Sequence, residues 1–142
     1  MPNQIVVSNF LLLDRANSAR VKLNSGSRLR LYKSLITPSP GDTLAVYTPS
    51  ECNFDTYSIQ HLDPNWQAPL LITPGEYQTL SAVLSYNSPT VTGNTIYGLF
   101  VDDGSGGLLF AMLFDSPINF SVGAPALSIQ IGYQVWAKAI IP

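Results

Sequence analysis

The chain has 142 residues, of which 46% are hydrophobic and 11% are charged, and its formal net charge is −2 at pH 7. This length suits a single domain, and the one cysteine, Cys52, excludes an internal disulfide and a cysteine-rich zinc site. The longest apolar run, residues 108–114, has seven residues and is too short for a membrane helix. The N-terminus carries no cationic leader, so we expect synthesis in the cytoplasm and no membrane partner.

The charges are strongly divided along the chain. Residues 1–35 carry six basic residues and one acid, a net charge of +5, whereas residues 36–142 carry one basic residue and eight acids, a net charge of −7. Such polarity bears on docking and association rather than on fold. We therefore predict that the chain attaches to a partner through its cations, which are Arg15, Arg20, Lys22, Arg28, Arg30 and Lys33.

The first segment admits two interpretations. A helix over residues 10–23, capped by Ser8 or Asn9, would present an apolar stripe at helical spacing. The stripe consists of Leu12, Ala16, Ala19 and Leu23. The alternative is a hairpin around a turn at residues 24–27, but it would set basic residues opposite one another, which is destabilising. We prefer the helix.

Most of the remaining chain is predicted to be β. A strand over residues 28–33 should point Leu29 and Leu31 inward, and Trp66 should anchor a loop against the core. Further strands are predicted at residues 55–62, 77–86, 96–101, 108–114 and 127–136. Residues 37–42 and 48–51 have the composition of loops.

The turn signals between these strands indicate the fold class. Residues 102–107 form a glycine-rich turn, so the strands on either side should make the central hairpin of the sheet. Many short strands favour a mainly β fold, namely an antiparallel β-sandwich or a jelly-roll-like barrel with one short N-terminal helix. We expect one domain over residues 1–142, with residues 1–27 as a basic helix or arm.

Candidate catalytic residues are few, because His61 is the only histidine. Asp63 could share a strand face with it, but no nucleophile motif of a Ser-His-Asp site accompanies the pair. Cys52 lies in the same region, yet the neighbouring Glu51 disfavours its thiolate. We therefore expect a surface or edge-strand histidine and a non-enzymatic protein without a cofactor.

The remaining motifs bear on metal, nucleic-acid and sugar ligands. Asp102 and Asp103 open the glycine-rich turn without the spaced oxygen ligands of a calcium loop, so we expect a solvated turn and no metal. Tyr32 is the only aromatic residue among the clustered cations, which argues against nucleic acid as a partner. The seven tyrosines and two tryptophans could build a sugar-binding platform or fill the core.

Several motifs along the chain resemble those of a known set of proteins. In chain order they are Leu12-Leu13-Asp14, Leu29-Arg30-Leu31-Tyr32-Lys33, Thr37-Pro38, Phe54-Asp55-Thr56-Tyr57, His61-Leu62, Trp66, Asn94-Thr95-Ile96-Tyr97-Gly98-Leu99-Phe100-Val101-Asp102, Gly107-Leu108-Leu109-Phe110, Phe114 and Leu127-Ser128-Ile129. Together they are similar to small β-rich virion structural proteins of tailed bacteriophages. The chain departs from them in its basic residues 20–33 and in the Leu-Phe that follows Gly98.

The resemblance implies a structural role in the virion, most specifically that of a capsid decoration (cement) protein. Its expected partners are the major capsid protein and other copies of itself, in a homotrimer. The six cations would meet acidic capsid surface. The alternative is a tail or fibre accessory domain that binds host glycans.

Overall fold

The structure is a computed structural model that describes residues 9–73 and 75–136, and the side chains of residues 12–73 and 75–135. Two α-helices and nine strands lie in this part of the chain. They are α1 (Asn9–Leu23), β1 (Arg28–Tyr32), α2 (Leu44–Tyr47), β2 (Gln60–His61), β3 (Leu70–Thr73), β4 (Glu76–Leu80), β5 (Leu84–Tyr86), β6 (Asn94–Asp102), β7 (Leu108–Phe120), β8 (Leu127–Ile129) and β9 (Gly132–Trp136). A 3₁₀ turn, Thr48–Ser50, follows α2.

The strands form three antiparallel sheets. The main sheet has the order β2-β1-β6-β7, a second sheet has the order β3-β4-β9, and β5 pairs with β8. The predicted class, mainly β and antiparallel with one short N-terminal helix, is confirmed. None of the three sheets closes on itself in the described part of the chain, so no closed barrel is formed there. The two faces of the main sheet must instead be covered by other elements, as in a sandwich.

The main core lies on one face of the main sheet. Leu29 and Leu31 of β1 point into it, as predicted, together with Leu99 and Val101 of β6. Trp66 is buried in the same core, where its indole Nε1 donates to Ser27 Oγ at 3.1 Å. The other side chains of this core come from loops, from α1 and from the smaller sheets: Leu23, Cys52, Phe54, Leu62, Tyr86, Ile96, Phe120 and Ile131.

A smaller aromatic cluster lies on the opposite face of the main sheet. Tyr32, Tyr47 and Phe100 pack together there, with ring centroids 5.3 to 6.4 Å apart. The ring of Tyr32 crosses directly over Gly98, and its hydroxyl donates to Met112 O at 2.9 Å. A Cβ at position 98 would overlap both groups, so glycine is required there by close approach.

The predicted N-terminal helix is present as α1. Leu12, Ala16 and Leu23 of the apolar stripe are buried, and α1 packs against β4 and β9. Ser8, one of the two predicted caps, lies outside the described residues.

Two predicted strands are each divided in the structure. Residues 77–86 lie in β4 and β5, and residues 127–136 lie in β8 and β9. The two interruptions, residues 81–83 and 130–131, face each other, because β4 pairs with β9 and β5 pairs with β8. Ser81 lies at the break, where its Oγ accepts the N–H of Ile131 at 2.9 Å. Residues 81–83 are one residue longer than the facing residues 130–131, so the pairing register shifts by one, which is a β-bulge. The alternation in residues 77–86 predicts that Leu80, Ala82, Leu84 and Tyr86 share one apolar face. In β5 this face points inward, since Tyr86 is buried, but before the break Thr79 and Ser81 are buried instead.

Two other expectations were also wrong. Residues 55–62 form a strand only at Gln60–His61, because Asp55 accepts hydrogen bonds from the backbone N–H groups of Thr90, Val91 and Thr92 and so holds a loop. The hairpin of β6 and β7 exists, but β7 is an edge strand rather than a central one.

Candidate partner-binding surfaces

Arg28 and Arg30, two of the six predicted docking cations, take part in an internal ion network. Asp102 is fully buried, and its two carboxylate oxygens accept from Arg28 Nε at 2.8 Å and from Arg30 Nη1 at 3.0 Å. Register explains the contact, because Arg28 pairs directly with Asp102 across β1 and β6. The guanidinium of Arg30 also lies 5.0 Å from the ring centre of Phe100, a cation–π geometry.

Glu51 completes this network from the other side of Arg30. Its carboxylate accepts from Arg30 Nε at 3.0 Å and from Nη2 at 2.5 Å, a bidentate pair. The Tyr57 hydroxyl donates to Glu51 Oε1 at 2.6 Å. The two cations and two acids balance, so this part of the basic segment stabilises the fold and offers little net charge to a partner.

The carboxyl of Asp102 titrates below its usual range. Burial acts to raise its pKa, but hydrogen bonds from Arg28, Arg30 and the N–H of Gly104 lower it further than burial raises it. The sequence suggested a solvated turn, but Asp102, at the start of the turn, is buried. Both acids hold the turn: Asp102 Oδ1 accepts from the N–H of Gly104 at 2.8 Å, and Asp103 Oδ1 accepts from the N–H groups of Ser105 and Gly107 at 2.8 Å each.

The other four cations have different surroundings. Arg20 Nε donates to the carbonyl of Trp66 at 2.8 Å, and Lys33 Nζ donates to Asn53 Oδ1 at 2.8 Å. Arg15 and Lys22 are exposed on α1. Because they are seven residues apart, almost two helical turns, they share one side of α1. We call these two residues the α1 cationic pair. Docking through the cations stays a prediction, now centred on this pair.

Strand β3 presents an apolar surface that the sequence analysis missed. It is an edge strand of its sheet, and Leu70, Leu71 and Ile72 are 62%, 50% and 45% exposed. These successive side chains point to both faces of the sheet, so both faces of β3 are partly exposed to solvent. We call Leu70–Thr73 the β3 edge. The signal was a short apolar run, Leu70-Leu71-Ile72, between Pro69 and Pro74.

The β3 edge lacks the charged side chains that protect many edge strands. Charged side chains and proline commonly block an edge from pairing with another chain, and the long edge strand β7 carries both, as Asp115 and Pro117. The β3 edge carries no charge, but it is four residues long, its register shifts between Leu71 and Thr73, and Pro69 precedes it in the sequence and Pro74 follows it. These features limit pairing through its backbone, so its exposed apolar side chains are what make it a candidate interaction surface.

The candidate catalytic residues do not form a nucleophilic site. His61 lies on the edge strand β2 with its side chain 71% exposed, as expected, and its Nδ1 is 3.4 Å from Asp63 Oδ1. Cys52 is buried. Burial raises the pKa of its thiol to about 12, so the nucleophilic thiolate is strongly disfavoured. Between residues 9 and 136, Pro74 aside, no group of His, Cys, Asp and Glu is placed to hold a metal ion.

The aromatic side chains serve mainly as core. Tyr32, Tyr47, Trp66 and Tyr86 are buried, so they cannot stack on a sugar or a base. Tyr32 was the aromatic residue that could have supported nucleic-acid binding. Of the described tyrosines and tryptophans, Tyr133 is the most open, at 36% exposure, and a glycan platform needs several such side chains together.

A cavity of about 380 Å³ lies beside the first half of β7. One wall is Leu108, Leu109, Phe110 and Ala111, and the other is Pro38, Ser39, Pro40, Asp42 and Tyr47. Successive side chains of a strand point to opposite faces. Four consecutive residues can therefore line one cavity only if it follows the edge of the strand. We call this cavity the β7 slot.

Comparisons with known proteins give no relative. No protein-family model, no curated protein and no solved structure matches the chain significantly. Among the described residues, no helix is both long enough and apolar enough to span a membrane.

Proposed function

We propose that this chain is a non-enzymatic structural protein of a tailed-phage virion, most specifically a capsid decoration protein that binds the outer surface of the head. The observation that carries the proposal is the β3 edge, where three successive apolar side chains of an uncharged edge strand face solvent. A surface of this kind is buried when a strand or an apolar groove of another subunit packs against it.

The proposed mechanism is cross-linking of neighbouring shell subunits. The β3 edge supplies apolar contact, and the α1 cationic pair faces acidic capsid surface, where it accelerates encounter and fixes orientation. Each contact need only be modest in affinity. Repetition over a shell converts modest contacts into avidity, so the shell resists disassembly. In the virion the chain would act as an oligomer, for which we propose a trimer.

Binding to DNA-free heads tests the role of the β3 edge. Heads of the phage that encodes the chain would be mixed with purified protein and sedimented, and the bound protein would be quantified. We expect Leu71→Lys to lower occupancy at least tenfold, because a charge replaces apolar contact at the interface. Val91→Lys is the matched control, since Val91 is 78% exposed and lies outside the strands. Equal occupancy for both variants would overturn the role of the β3 edge.

The α1 cationic pair is tested in the same assay. Arg15→Glu with Lys22→Glu should slow binding to heads and weaken it most at low ionic strength, because salt screens exposed charges. Arg28 and Arg30 are unsuitable for this test, since both hold the internal ion network together. Binding of the double variant at the wild-type rate in low salt would remove this pair from the docking surface.

A further inference from the structure

The β7 slot has the size and the lining of a site for a small ligand. Its volume of about 380 Å³ falls within the range of about 300–1,000 Å³ that is usual for such sites, which combine apolar walls with a few polar groups that fix the orientation of the ligand. The apolar lining comes from both walls, from the two prolines on one side and from β7 on the other. The polar side chains all lie on the wall opposite β7 and belong to Ser39, Asp42 and Tyr47.

Asp42 supplies the one charge in the lining of the slot. Its Oδ2 accepts from the Tyr47 hydroxyl at 2.7 Å and from Ser39 N at 2.9 Å, and these bonds lower the pKa of the carboxyl. Asp42 is therefore ionised near neutral pH. Among the residues that the structure describes, no basic side chain forms an ion pair with it. A fixed negative charge without a described counterion attracts a cation.

The Asp42 carboxylate is held in place by contacts within the chain. Asp42 N also donates to Ser39 O at 3.0 Å, so the short turn between them is closed in both directions. Tyr47 is fully buried, and its ring lies 5.3 Å from that of Tyr32 and 5.4 Å from that of Phe100. The Tyr47 hydroxyl therefore fixes the carboxylate relative to the main sheet. A group that is already positioned loses little freedom when a ligand binds, which favours affinity.

The lining selects a cation that has an apolar body. Calcium and magnesium prefer several oxygen ligands, and the slot offers one carboxylate, so an organic cation suits it better than a metal ion. The side chains of Leu108, Leu109 and Phe110 provide apolar surface for the rest of the ligand.

We infer that the β7 slot binds a small organic cation, namely an ammonium group on an apolar arm, with the charge at Asp42 and the arm along β7. This ligand would occupy the slot in the free protein. The inference is independent of the proposed function, because it requires neither a capsid nor a second protein.

Three ligands of similar size test the inference on the purified full-length chain. Near neutral pH benzylamine is a cation, benzyl alcohol is neutral and benzoate is an anion. Each would be titrated into isotope-labelled protein and followed by the amide shifts in NMR spectra. We expect benzylamine to bind saturably, with shifts at Asp42, Tyr47 and residues 108–111. The other two ligands should bind at least tenfold more weakly, since neither forms a charged hydrogen bond to the carboxylate.

Two variants separate the charge from the shape of the slot. Asp42→Asn keeps the size of the side chain, and it should lower the affinity for benzylamine at least tenfold and leave that for benzyl alcohol unchanged. Asp115→Asn is the matched control, since Asp115 is an exposed acid of β7 outside the lining of the slot, and it should bind benzylamine as the wild type does. Amide shifts of the free Asp42→Asn protein that match the wild type away from the slot establish that the variant is folded.

Four results would each overturn the inference. They are equal affinities of the wild type for benzylamine and benzyl alcohol, equal affinities of the wild type and Asp42→Asn for benzylamine, shifts that lie away from the slot, and no saturable binding of benzylamine at millimolar concentration. None of them bears on the binding of heads by the β3 edge, so failure of the inference and failure of the proposed function are distinguishable.

Discussion

At the scale of single residues, the buried network around Arg30 explains why the basic segment is not simply a docking surface. Asp102 and Glu51 lie on either side of its guanidinium, which is held by the bidentate pair with Glu51 and one bond from Asp102. Burying two charges costs much of what their attraction returns, so such a pair adds modest net stability. Removing one partner is different, because it leaves an uncompensated charge in the interior.

Asp102→Ala should therefore be strongly destabilising. It leaves Arg30 with Glu51 as its remaining acid, so two cations face one carboxylate, and it removes the acceptor for Arg28 and for the N–H of Gly104. We expect the free energy of unfolding to fall by about 3–5 kcal/mol, measured by urea denaturation. Asp115→Ala is the control, since an exposed substitution should stay within about 0.5 kcal/mol. A loss for Asp102→Ala as small as that of the control would show that the network contributes little.

The stability of the chain should decrease in acid. The pKa of Asp102 is lower in the folded protein than its usual 3.8, so the unfolded chain binds more protons at low pH. The contribution is complete above about pH 5 and is lost as the pH falls through the folded pKa. Asp42, Asp55 and Asp103, whose pKa values are also lowered, act in the same direction.

Urea denaturation at about pH 7 and about pH 3 measures this effect. We expect a lower midpoint at the acidic pH for the wild type and a smaller difference between the two values for Asp102→Asn. An unchanged wild-type midpoint would contradict the account of these carboxylates.

At the scale of elements, the sequence pattern predicted the features that depend on neighbouring residues, namely strand faces and turns. The alternation around Leu29 and Leu31 gave β1 its correct inward face, and the glycine-rich turn gave the hairpin of β6 and β7. The break at Ser81 was not predictable, because it depends on a bulge opposite Ile131, fifty residues away. The edge position of β7 likewise depends on β1 pairing with β6 instead, and the sequence carries no local sign of that choice.

Gly98→Ala tests the close packing of the main sheet against the aromatic cluster. A methyl group there would meet both the Tyr32 ring and the carbonyl of Met112, and overpacking of this kind typically costs about 1–3 kcal/mol. Thermal unfolding should show a clear loss of stability. Gly41→Ala is the matched control, since an added Cβ there meets nothing within 4 Å. Equal melting temperatures for both variants would show that Tyr32 can move away from Gly98.

At the scale of the whole molecule, the surfaces through which the chain could bind a partner differ from those that the sequence predicted. The sequence assigned docking to six cations, but Arg28 and Arg30 serve the interior, and the β3 edge and the β7 slot present surfaces of other chemistry. The β3 edge was missed because four residues between two prolines give too short a pattern, and solvent exposure of such a run is a tertiary property. The β7 slot brings Pro38 and Ala111 together, which the sequence cannot place side by side.

The measurement that tests the central proposal most directly is the location of the protein on the particle. Antibody against the purified chain, coupled to gold, would be applied to virions of the encoding phage and imaged by electron microscopy. The proposal predicts dense label spread over the head surface, in many copies per particle. Label confined to the tail or its fibres, or no label on intact virions that still contain the protein, would contradict it.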